Sequence, residues 1–131
     1  MKKQTIQRLD KVFSEYVRLR DSDSNGFVRC ISCGKITFWN KSDCGHYVNR
    51  KHLSTRWNEK NCNAQCRACN RFDEGNMIGY TKGLIKKYGG KVLGELELMK
   101  SQTCKLSDFE GELLIKHYRT KVKELKKLKA A

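Results

Sequence analysis

Cys30-Ile31-Ser32-Cys33 and Cys66-Arg67-Ala68-Cys69 are the two stretches on which the fold of this chain turns. Two C-x-x-C pairs bring together four soft thiolates, the donor set of a closed tetrahedral zinc site. Four protein ligands saturate such an ion, so the zinc is structural and not the Lewis acid of a reaction. Short β-prone segments, Phe27-Val28-Arg29 and Lys35-Ile36-Thr37-Phe38-Trp39, flank the first pair in the manner of a zinc knuckle. The 32 residues from 34 to 65 exceed the spacer of a simple zinc ribbon and leave room for a hairpin with a purpose of its own.

The chain has seven cysteines, an odd number that rules out a fully paired disulfide framework and fits a metal site in a reducing compartment. Cys62 and Cys104 read as small buried hydrophobes, and Cys44 is left open between that role and metal binding. At 131 residues, one domain spanning 1–131 is expected, with a core small enough to need the metal as a staple. The formal charge of +14 makes nucleic acid the default partner, with salt-dependent binding, against the plainer reading of a solvated surface. No run of residues approaches membrane-spanning length and Met1–Thr5 does not resemble a signal peptide, so a cytoplasmic protein with no membrane partner is expected.

Further out, apolar residues recur at helical spacing from Lys3 to Arg20, predicting an N-terminal helix within 1–22 that stops in the turn formers Asp21 to Gly26. Asp43 to Val48 reads as a strand, Arg50 to Trp57 as a loop, and a helix is expected from Asn63 through the second cysteine pair. Helices follow over Asn76–Tyr88, closed by Gly89-Gly90, and over Val92–Met99. Ser107-Asp108-Phe109-Glu110 has the form of a capping box and opens a last helix with a stripe of Leu114, Tyr118, Val122, Leu125 and Leu128. Its other face is basic, so residues 91–131 read as a helical arm serving as a homodimer seam, a phosphate-tracking face or a solvated tail. Trp39, Tyr47 and Trp57 are assigned to the core rather than to base stacking.

The insert between the cysteine pairs contains Asp43-Cys44-Gly45-His46-Tyr47, then Arg50-Lys51-His52, Arg56-Trp57 and Asn61, and Asn70 directly follows Cys69. A histidine and two asparagines threaded in this order through two C-x-x-C pairs resemble the HNH endonucleases of the ββα-metal class. Residues 28 to 90 more closely resemble the NinG/Rap recombination proteins of lambdoid phages, through Asp43–Tyr47, Arg50, Ser54–Trp57, Asn61–Asn70, Gly75-Asn76 and Tyr80. The terminal helices are not part of that likeness.

The resemblance implies an α+β fold with a small zinc-stapled ββα-metal (HNH/treble-clef-like) core at 27–90, flanked by N- and C-terminal helices. It implies a metal-dependent endonuclease acting on branched DNA such as Holliday junctions and D-loops, in the host bacterial cytoplasm if phage-encoded.

His46 is the expected general base, since a neutral imidazole takes a proton from water near physiological pH. Asn61 is expected to brace the hairpin or orient His46. Asp43 and the Asn70 carbonyl are candidate oxygen ligands for Mg²⁺ or Mn²⁺. Arg50, Lys51, Arg56, Arg67 and Arg71 are candidate DNA contacts, and His52 could meet a phosphate or serve as a metal ligand. Many HNH proteins carry an acid directly before the base histidine, but Gly45 stands there. Asp43 reaching by a bulge, His52 and Cys44 are the alternatives. A non-catalytic treble-clef DNA-binding protein fits the cysteines and charge equally well, and a zinc-stapled RNA-binding module fits the charge while leaving His46, Asn61 and Asn70 without a purpose.

Overall fold

In the computed structural model, which describes residues 1–129, apolar side chains at helical spacing form α1 (Lys3–Asp21) and bury Leu9, Val12, Phe13 and Val17. Arg18 and Arg20 occupy its last turn, where cations meet the negative end of the helix dipole. β1 (Phe27–Arg29) and β2 (Ile36–Phe38) pair antiparallel around the first cysteine pair, Arg29 facing Ile36. A short 3-10 turn, Trp39–Lys41, leads into β3 (Asp43–His46). β3 pairs antiparallel with β4 (Cys62–Gln65), placing Asp43 opposite Gln65 and His46 opposite Cys62. A π-helical turn, Ala68–Phe72, carries the end of the second cysteine pair.

Two expectations fail in this region. The stretch Arg50–Trp57 is not all loop, because Leu53–Arg56 form a single helical turn, α2, between the strands. The chain does not enter a helix at Asn63, because Cys62–Gln65 are a strand buried along its whole length. The polar letters of that strand conceal it. Asn63 and Gln65 are 0% and 1% exposed; the Asn63 amide and Gln65 Nε2 find side-chain and backbone partners, which lowers the cost of burying them, while Gln65 Oε1 has none.

α3 (Met77–Tyr88) starts at Asn76, whose side chain accepts from the Gly79 amide, and ends at Gly89 in a left-handed φ of +88°. It lies directly on the first knuckle. A Cβ at Gly79 would sit 2.2 Å from the Ser32 carbonyl oxygen, and one at Gly83 2.0 Å from that of Ile31, so only glycine permits the approach. α4 (Lys91–Lys100) closes a second apolar cluster of Val48, Tyr80, Leu84, Val92 and Leu96.

α5 (Asp108–Leu128) opens with the expected capping box, Ser107 and Glu110 bonding reciprocally. It is not a free arm. Ile115, Tyr118 and Val122 are buried in the main core with Leu9, Phe13 and Val17 of α1, and Tyr118 meets Phe13 edge to face at 4.9 Å. The stripe that suggested a dimer seam is therefore covered from within the chain, and only its end, Leu128, is largely exposed. The result is a mixed α+β domain with two short hairpins and flanking helices. Among the described residues no helix is long and apolar enough to cross a membrane.

Asp21 ties three elements together. Its carboxylate accepts from Arg20 Nε at 2.8 Å, from the Ala64 amide of β4 at 2.8 Å and from Lys87 Nζ of α3 at 2.9 Å. Burial would push this acid up, but the Arg20 guanidinium and Lys87 hold it below the ordinary carboxylate value.

Candidate metal cluster and polar cleft

The four cysteines of the two C-x-x-C pairs converge as their spacing requires. Cys30, Cys33, Cys66 and Cys69 place their sulfurs within 4.8 Å of one another, a group that could hold a metal ion, with only Cys33 exposed. Backbone amides of Ser32 and Cys69 donate to the sulfurs of Cys30 and Cys66 at 3.4 Å, and Asn76 Nδ2 donates to Cys69 Sγ at 3.4 Å. Donors aimed at sulfur favour thiolate over thiol, which suits a metal ligand. Gly34, at φ +80°, turns the chain out of the first pair.

Beside the cluster, β3 and the π-helical turn border a cleft of about 270 Å³ lined by Asp43, Cys44, His46, Arg50, Asn70 and Arg71. The His46 ring is half-buried, and its Nε2 lies 2.9 Å from the Arg56 carbonyl oxygen. A carbonyl only accepts, so Nε2 carries the proton and the neutral ring keeps its lone pair on Nδ1. Burial pushes the imidazole below its ordinary value, with Arg50 and Arg56 acting in the same sense, so the ring is neutral at pH 7.

Asp43 and Asn70 are brought together. Asn70 Nδ2 donates to Asp43 Oδ2 at 3.0 Å, and Arg71 grips both carboxylate oxygens at 2.8 and 2.9 Å. Burial raises the acid, but Arg71 and Asn70 hold it below the ordinary carboxylate value. Carboxylate and amide oxygens are the hard donors that Mg²⁺ or Mn²⁺ takes, so the residues present fit such an ion in kind.

Gly45 accounts for the missing acid before His46. A Cβ there would lie 2.0 Å from Gln65 Oε1, and the Gly45 carbonyl accepts from the buried Tyr80 hydroxyl at 2.7 Å. The position faces packed interior, and a carboxylate would not fit.

Other expected site residues lie elsewhere. His52 does not join Asp43 and Asn70; with Lys51 it borders a separate recess beside Met77 and Thr81 of α3, so it is not one of their ligand set. Asn61 is fully buried, and its side-chain hydrogen bonds go to the backbone rather than to the His46 ring. Its side chain accepts from the Val48 amide at 2.7 Å and donates to the carbonyls of Val48 and Thr55, both at 3.1 Å, bracing the segment between β3 and β4. Arg67 stands half-exposed, bonded to the Asn40 carbonyl.

The sequence reading missed Asp10 of α1. Its carboxylate accepts from Arg50 at 3.0 Å, from Arg56 Nε at 3.0 Å and from the Trp57 indole at 3.0 Å, fixing two of the candidate DNA contacts at the cleft. It is the only acid among the first fourteen residues of a basic chain, the one signal that could have marked it.

A sequence profile described as "Bacteriophage Lambda NinG protein" matches residues 1–129. The chain belongs to the NinG family. It is 34% identical to Protein ninG of Escherichia phage lambda over 95 residues, which cover 70% of this chain and 43% of that protein. It is 29% identical to Protein ninG of Salmonella phage P22 over 124 residues, covering 92% of this chain and 57% of the other. The chain thus spans about half the length of the curated relatives it matches. No solved structure matches it. The NinG profile reaches beyond 28–90 and takes in α1 and α5, so the terminal helices belong to the family match after all. Asp10, though unnoticed in the sequence, lies within that match.

Proposed function

We propose that this chain is an HNH-like, metal-dependent DNA endonuclease stapled by a structural Zn²⁺ at Cys30, Cys33, Cys66 and Cys69. The observation that carries the reading is one cleft bordered by an imidazole with Nε2 bound to a carbonyl and by Asp43 and Asn70, whose Nδ2 donates to the Asp43 carboxylate. The hairpin β3–β4 followed by the π-helical turn supports a ββα-like reading of this region.

In this reading Nδ1 of His46 removes a proton from water as it attacks a phosphodiester, while Nε2–H on the Arg56 carbonyl holds the tautomer. Asp43 and Asn70 would hold Mg²⁺ or Mn²⁺, which would supply charge stabilisation for the leaving 3′ oxygen. Arg50 and Arg56, preset by Asp10, and the exposed Arg71 contact phosphates, and the +14 charge draws the polyanion in. Asn61 is a positioning residue. The proposed substrate is branched recombination DNA, such as Holliday junctions and D-loops, in keeping with the NinG family.

A second reading, a non-catalytic zinc-stapled DNA-binding protein, is favoured by one contact: Arg71 already occupies both oxygens of Asp43 and must move aside for an ion. The test is cleavage of end-labelled four-way junction, duplex and single-stranded DNA with Mg²⁺ or Mn²⁺, comparing the chain with His46→Ala, each checked to retain zinc. The expected result is metal-dependent cutting that falls by about 10²- to 10⁴-fold in the variant while binding persists. Tight, salt-dependent binding with no cutting by either protein overturns the nuclease reading in favour of the second.

A further inference from the structure

Cys44 and Cys62 stand outside the four-cysteine cluster, and the fold brings both to the cleft histidine. In the β3–β4 register His46 faces Cys62, and Cys44 lies two residues before His46, so all three share one face of the hairpin. The Cys44 sulfur, a ring nitrogen of His46 and the Cys62 sulfur lie within 4.8 Å of one another. Two of them already point at one spot: the Arg56 carbonyl accepts from His46 Nε2 at 2.9 Å and from Cys62 Sγ at 3.4 Å. Cys62 is buried in the main core, as its sequence context suggests, and its sulfur also faces this group.

Tetrahedral zinc with bonds of 2.0–2.3 Å needs ligand atoms about 3.5 to 3.8 Å apart, so side-chain rotation closing the triangle by about 1 Å suffices. The four-cysteine group meets the same 4.8 Å bound, with Cys33 and Cys66 at 3.7 Å. The donor set decides the kind of ion, because two sulfurs and an imidazole select soft or borderline cations such as Zn²⁺ and Cd²⁺ over Mg²⁺. Charge agrees as well: two thiolates and a neutral imidazole cancel a divalent ion, which suits a site whose inner ligand, Cys62, is 0% exposed. Cys44 and His46 border the cleft, so a fourth position opens toward solvent or a phosphate oxygen.

We propose that Cys44, His46 and Cys62 form a second metal site, separate from the four-cysteine cluster, for Zn²⁺ or a similarly soft divalent cation. Binding releases the two thiol protons to solvent, leaves the single N–H of the imidazole on the ring nitrogen that does not coordinate, and forms two metal–sulfur bonds and one metal–nitrogen bond. The binding itself does not depend on the nuclease reading; its consequence does, because an ion that takes the His46 imidazole removes the proposed base.

The experiment counts Cd²⁺ per chain by elemental analysis after desalting and follows the thiolate-to-cadmium charge-transfer absorption during titration of the full chain. Two ions per chain are expected, the second adding the absorption of two thiolates to that of four. Cys44→Ser and His46→Ala should each bind one ion, with the four-thiolate absorption and the thermal transition retained, and Cys104→Ser should still bind two. One ion in the unsubstituted chain, or two in Cys44→Ser, overturns the proposal. Neither readout requires cleavage, so failure of the nuclease reading and failure of this site are told apart.

Discussion

β1 and β2 leave most of their residues at least partly exposed and enclose two cysteine ligands, whereas β4 buries all four of its residues, two of them amides. The first hairpin sends Val28 into the main core, with Phe38 packed against it, and its far end carries the cysteine cluster that could hold a metal ion. The second is held by side chains that reach other elements: Asn63 donates to Lys60 and Tyr80, Gln65 Nε2 donates to Ser32 and Gly75 while Gln65 Oε1 stays unpaired, and Asn61 braces the connection. Two hairpins of similar length in one small domain thus separate two ways of specifying a fold, by a cysteine cluster that could take a metal and by a buried polar network.

Removing the metal should break this contrast most strongly. Chelation, or Cys66→Ser, is expected to cost about 10 kcal/mol by the scale of structural zinc sites and to release the knuckle together with α3, read as a collapse of the thermal transition. An unchanged melting temperature in the metal-free chain would mean that the first hairpin holds itself.

Asp21→Ala comes next, at about 2 to 3 kcal/mol in chemical denaturation, because it strips the half-buried Arg20 and the more exposed Lys87 of their counter-charge and leaves the Ala64 amide unpaired. The same carboxylate sets a pH dependence. Its pKa is lowered in the folded state, so its contribution is complete above the ordinary carboxylate value and is lost as pH falls through the lowered one. Asp21→Asn should flatten that acid limb, and a limb of undiminished slope would assign it to other groups.

Asn61→Ala should cost about 2 kcal/mol by leaving the Val48 amide and two carbonyls unpaired, without loss of bound zinc. Zinc loss in that variant would show that the two hairpins are not independent. The smallest effect is expected for Gly45→Ala, about 1 to 2 kcal/mol, as the new methyl pushes against Gln65; a neutral result would show that Gln65 swings clear.

The contrast also governs what could be read from the sequence. The cysteine pairs were legible because metal ligation imposes a fixed spacing, and α1, α3, α4 and α5 because burial imposes a helical period. β4 was not legible: Cys62-Asn63-Ala64-Gln65 alternates apolar and polar over only four residues, and the burial of its polar face rests on partners as distant as Tyr80 and Ser32. His46, Asp43 and Asn70 were found by their order along the chain. Asp10 was missed because its partners, Arg50, Arg56 and Trp57, lie some forty residues away on the far side of the first knuckle. The Cys44–Cys62 proximity was missed because it depends on a strand register that the letters did not disclose.

The two glycines with which α3 rests on the knuckle have a further consequence for how the chain is made. Each costs about 1 kcal/mol of helix propensity relative to alanine, so this segment is a poor helix in isolation. During synthesis both cysteine pairs leave the ribosome before Gly79 and Gly83 do. A metal captured by the four cysteines of the nascent chain would thus precede this helix and provide the surface on which it forms.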